Sequence, residues 1–138
     1  PPAPVPAKPG FETNTAVPHA IIIVMDKVDG VFVSEAKNAF NRYNKANIPN
    51  KPLEVSSEIL LETENIRLVV IQSFTDANDA FAYLDKVGKI AATEIVPWLP
   101  KEKFSFLPIS TKNLEVLRSG KGLNDYKNEL KKLFSGRF

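Results

Sequence analysis

The sequence predicts an α+β domain, a four-stranded antiparallel sheet with helices laid on it. Three stretches lead there. Ala20-Ile21-Ile22-Ile23-Val24-Met25 is apolar at every position, and Ile66-Arg67-Leu68-Val69-Val70-Ile71 is nearly so. Leu53-Glu54-Val55-Ser56-Ser57-Glu58-Ile59 alternates instead. A continuous apolar run suits a strand covered on both faces, and alternation suits a strand with one wet face. Two interior strands and a half-exposed edge follow.

The elements read in order. Residues 1–18 form a linker, because Pro1, Pro2, Pro4, Pro6 and Pro9 fall within the first ten residues. Proline at that density excludes a helix or central strand and favours an extended, semi-rigid spacer. The start on Pro1-Pro2, without an initiator methionine, predicts a processed chain or an excised fragment of a longer one. The first strand covers 19–25 and Asp26–Gly30 makes a turn. A helix is predicted over Ser34–Ala46, with Ser34 as its cap and Ala36, Phe40 and Tyr43 as its buried stripe. The second strand covers Leu53–Leu61, and Thr63-Glu64-Asn65 turns the chain into the third, Ile66–Phe74. Thr75 or Asp76 caps a helix over 76–91 with the stripe Ala77, Ala80, Phe81, Leu84, Val87 and Ala91. Residues 92–102 are irregular. A fourth strand follows over Lys103–Ile109, and Pro108 argues that it is an edge strand or ends early. Two helices end the chain, one from Ser110 to Arg118 and one from Leu123 to Phe134.

The order βαββαβ is the ferredoxin-like arrangement, with strand order 4-1-3-2 and both crossover helices on one face. The domains are then 1–18 linker, 19–109 ferredoxin-like, and 110–138 a helical extension. The interior strands are apolar on both sides, so the helix-free face also needs cover. The C-terminal helices, packed on the domain, are the expected cover, and a protein partner is the alternative.

Composition narrows the function classes. The chain has 138 residues, 43% hydrophobic and 25% charged, as expected of a globular protein. A net charge of +2, from 18 basic and 16 acidic side chains, is too small to point to nucleic acid or an anionic membrane. No apolar run approaches the ~20 residues that span a bilayer. Without cysteine there is no disulfide, thiolate chemistry or cysteine zinc site.

Candidate chemistry is sparse. His19 is the only histidine, and at a strand start it reads as a backbone or surface contact. Asp26 and Asp29 before Gly30 lack the further oxygen ligands of a calcium loop and read as turn residues. Glu54, Glu58, Glu62 and Glu64 read as the wet side of an edge strand, where charge discourages edge-to-edge association. Gly120-Lys121-Gly122 lacks phosphate-loop spacing, and Lys127, Lys131 and Lys132 form a solvated helix face. The interior strands carry Ile, Val and Leu rather than the base-stacking rings of RNA-recognition modules. The sequence thus predicts no catalytic residue, cofactor or metal site, and no nucleic-acid binding. The surface that stands out is Pro97, Trp98, Leu99 and Pro100. Tryptophan is favoured in binding hot spots, and it equally serves as a loop anchor folded onto a core.

The stretches Pro18–Val24, Val69–Leu84 and Phe104–Leu117, followed by Tyr126 and Phe134, resemble the C-terminal domain of tetratricopeptide-repeat lipoproteins of Bacteroidetes, the PorW/SprE group of the type IX secretion and gliding machinery. The resemblance spans about residues 18–138. It implies a periplasmic, outer-membrane-associated setting and a non-enzymatic role in assembling a secretion or gliding-motility complex, with protein partners. Ile71–Ala80 is also similar to SPOR domains, which bind peptidoglycan on a βαββαβ sheet. Two expectations follow: a protein-docking module, or alternatively a peptidoglycan-binding module.

Overall fold

The structure is a computed structural model and describes residues 11, 14–61, 65–119 and 122–134. The proline-rich stretch 1–10, the turn at 62–64 with Glu62 and Glu64, and the Gly120-Lys121 step lie outside the described residues. The chain divides into two compact units, Thr15–Ser110 and the remainder, which pairs Pro1–Asn14 with Thr111–Phe138.

The larger unit runs β1 (His19–Asp26), α1 (Gly30–Asn47), β2 (Glu54–Leu61), β3 (Ile66–Phe74), α2 (Ala77–Val87) and β4 (Phe104–Ser110). The sheet order is β2-β3-β1-β4, the predicted 4-1-3-2 read from the other edge. All pairings are antiparallel. The strands with continuous apolar runs sit inside, and the alternating strand and the proline-bearing strand sit at the edges. Register shows which side chains share a face. Ile21 pairs with Ile71 and Ile23 with Val69, while Ile23 and Met25 face Phe106 and Phe104 across the other boundary. This set, together with Val33, Ala36 and Phe40 of α1 and Ala80, Tyr83 and Val87 of α2, forms one core. Both helices therefore lie on the same face of the sheet. Phe40 meets Phe106 edge-on at 5.9 Å, and Phe74 lies 5.3 Å from Tyr83.

Several boundaries differ from the sequence expectation, each for a local reason. Helix α1 begins at Gly30, four residues before Ser34, because Asp29 takes an extended conformation and its carbonyl accepts the Phe32 and Val33 amides. Helix α2 stops at Val87, and Ala91–Ile95 forms a separate π-helical turn. Gly88 N–H bonds the Leu84 carbonyl, and the chain then turns before resuming. In β2 the register slips between Ile59 and Leu61, which leaves Leu60 as the extra residue of a bulge. Ile59, the residue before the bulge, pairs with Arg67 and stands 49% exposed.

The smaller unit contains α3 (Thr111–Arg118) and α4 (Leu123–Leu133). Among its described residues Phe11, Leu114, Leu117, Tyr126 and Leu130 are the buried apolar side chains. The Phe11 ring meets Tyr126 edge-on at 4.9 Å. Among the described residues no helix is long and apolar enough to cross a membrane.

Candidate functional site

The candidate site forms where the loop before β4 meets the start of α1. The loop is fastened at both ends and displays its middle. Val96 is fully buried and Leu99 nearly so, and the Leu99 amide donates to the Val96 carbonyl at 3.0 Å. Within that turn Val96 and Leu99 are buried and the two residues between them are exposed. Leu99, not Trp98, is thus the loop anchor. Pro97 and Trp98 face solvent, and Trp98 is 45% exposed. Pro100 starts the next turn, its carbonyl accepting the Lys103 amide at 2.9 Å.

The opposite wall comes from the β1–α1 connection. Lys27 adopts a left-handed backbone, φ 58°, while its amide donates to the Asn65 carbonyl at 2.9 Å. That reversal brings Val28 into the core and presents Asp29 and then α1. Glycine at position 30 leaves room for the Arg67 guanidinium, which would lie 2.8 Å from an added Cβ. The first turn of α1 carries no acidic side chain, and the Asp29 carboxylate makes no capping bond there. It carries two bulky apolar residues instead, Val31 at 66% and Phe32 at 50% exposure. Both fall off the buried stripe of Val33, Ala36 and Phe40.

The two walls touch through Phe32 and Trp98, whose ring centroids lie 5.9 Å apart at a tilt of 39°. Beside them is an open groove of about 300 Å³. Val28 and Leu99 supply buried apolar wall, Phe32, Trp98 and Pro100 the exposed apolar wall, and Lys27, Asp29 and Lys103 the polar rim. Of the four large exposed apolar side chains found among the described residues, Phe32 and Trp98 line this groove, and Val31 precedes Phe32 in the chain. Of the surface predicted from sequence, Trp98, Leu99 and Pro100 line the groove, and Pro97 is exposed outside it. Phe32, Val31, Lys27 and Lys103 escaped the sequence reading. The available signal was Val31-Phe32, a bulky apolar pair out of phase with its helix.

The other residues singled out in the sequence take the following places in the fold. His19 is buried with Nδ1 2.8 Å from the Val17 carbonyl, the backbone contact expected of it. Asp26 ends β1 and Asp29 precedes α1. Glu54 and Glu58 lie on the edge strand β2. On α4, Lys132 reaches Glu129 at 3.8 Å, an exposed helical pair. Among the described residues, no three His, Asp or Glu side chains gather as a metal site would require. A second open groove, about 280 Å³, is lined by Ala39, Arg42, Tyr43, Glu94 and Ile95 and has no exposed aromatic pair beside it.

No protein-family profile matches the chain, and no curated protein or solved structure matches it.

Proposed function

We propose that this chain is a non-enzymatic docking module for a protein partner, working in a periplasmic, outer-membrane-associated secretion or gliding assembly. One observation carries the docking reading: Phe32 and Trp98, in mutual contact, stay half exposed beside an apolar groove while the loop that bears Trp98 is fixed by Val96 and Leu99. Exposed aromatics held on a fastened scaffold lose little conformational freedom on association, which suits them to be anchors. The setting rests on the resemblance of the chain to secretion-machinery lipoproteins.

The test is a paired capture experiment. The chain and its Phe32→Ala/Trp98→Ala variant are produced in cells of the parent organism and isolated by the same tag. The reading expects a stoichiometric protein partner with the parent chain, at least tenfold less with the variant, and equal thermal midpoints for both. Retention of the chain by purified cell-wall sacculi, with no protein partner, would replace docking by peptidoglycan binding.

A further inference from the structure

We propose that the Phe32–Trp98 groove takes an extended peptide segment in which a large apolar side chain is flanked by acidic residues. This rests on the docking reading above and names the chemistry of the partner. The floor is apolar and concave, and about 300 Å³ is room for one or two side chains of the partner. The Trp98 and Phe32 rings offer the wall against which such a side chain packs.

The rim supplies the charge selection. Lys27 and Lys103 stand on it against one carboxylate, Asp29, and among the described residues neither lysine is engaged in an ion pair. The positive end of the α1 dipole opens beside them, offset only by the Asp29 carboxylate at its N-cap, since the first turn itself carries no acidic side chain. Each of these terms favours a negatively charged neighbour on the incoming chain and disfavours a basic one. The same pairing of aromatics with lysines also suits an anionic lipid surface. The concavity decides for the peptide: a headgroup layer would meet exposed tips and leave Val28 and Leu99 uncovered, whereas an inserted side chain reaches them.

Trp98 is the only tryptophan in the chain, so its emission reports on the groove directly. The whole chain is titrated with eight-residue synthetic peptides, each with a central Leu, Phe or Trp analogue that does not fluoresce, flanked by Asp/Glu, by Ser/Gly or by Lys/Arg. Vesicles of mixed zwitterionic and anionic phospholipid form a separate arm. The proposal expects saturable quenching or a blue shift with the acidic-flanked peptides, roughly tenfold weaker binding for the Ser/Gly set, and weaker still for the basic set. Lys27→Glu/Lys103→Glu should erase that preference at an unchanged thermal midpoint. Should that variant not fold, the salt dependence of the parent chain stands in: affinity for the acidic set must fall as ionic strength rises while that for the Ser/Gly set stays flat. Equal binding of all three sets overturns the charge selection. A response to vesicles alone overturns the peptide in favour of a membrane. If no peptide binds while the capture experiment still yields a partner lost with Phe32 and Trp98, docking stands and this inference fails.

Discussion

Ser73 holds its backbone at φ 89°, a region that non-glycine residues reach only with strain. It is the extra residue where β3 slips against β1, since His19 pairs with Phe74 but Ala20 with Gln72. Its side chain is exposed, so little is lost on removing it. Ser73→Gly should therefore stabilise the chain by about 0.5–1 kcal/mol, read as a higher urea midpoint at constant slope. A second residue-scale feature is buried between the helices. The Tyr83 hydroxyl donates to Asn44 Oδ1 at 2.6 Å, and Asn44 Nδ2 is buried with no hydrogen-bond partner among the described residues. Tyr83→Phe strands the amide altogether and should cost about 1–3 kcal/mol. Adding Asn44→Leu removes the stranded group and should recover most of that loss in a double-mutant cycle. Burial also pushes the Tyr83 phenol well above its usual range, against the smaller opposing effect of the Asn44 hydrogen bond. The native state then keeps a proton that the unfolded chain gives up. Stability is full below about pH 10 and falls as pH rises beyond it, by ~1.4 kcal/mol per unit for one such group. Tyr83→Phe should flatten part of that alkaline slope in denaturant titrations.

At the scale of elements, α2 shows how its start is held. Asp76 accepts the Asp79 amide at 2.9 Å, and Asp79 in turn accepts the Thr75 amide at 3.0 Å and binds Lys51 Nζ at 2.9 Å. Partial burial raises the Asp79 pKa, but the Thr75 and Lys51 contacts outweigh it and hold the carboxyl below its ordinary value. The stability it contributes is present above roughly pH 4 and is lost as pH falls through its lower native value. Asp79→Asn should shallow the acid limb of the stability curve, and Asp76→Ala should cost about 1 kcal/mol near neutral pH. The Asp76 cap was legible in the sequence, because Thr75-Asp76 precedes a clean 3.6-residue period. The α1 start was not, since Asp29-Gly30 imitates a turn and Val31-Phe32 breaks the period. Two of those residues, Asp29 and Phe32, line the groove, so the boundary and this wall of the site were missed together. Trp98 was visible as a lone tryptophan between prolines, whereas its packing against Phe32 depends on a chain reversal at Lys27 that no periodicity encodes. The π-helical and 3-10 turns at Ala91–Ile95 and Lys101–Lys103 were likewise unreadable, because they follow from how α2 hands the chain back to β4.

At the scale of the molecule, the sheet order was legible because burial on both faces leaves an unmistakable trace. Ile21, Ile22 and Ile23 in succession leave no polar side for a β-strand to show to water. A sheet so built is a rigid platform, and the groove lies where the β1–α1 connection meets the loop leading into β4. Under the docking proposal the sheet keeps its arrangement when the groove is filled. Hydrogen–deuterium exchange of the chain, alone and within the captured assembly, tests this most directly. The account predicts added protection concentrated at residues 27–33 and 96–103, with the interior strands unchanged. Protection confined to the β2 edge or spread along the sheet, with 27–33 and 96–103 unaffected, would contradict it.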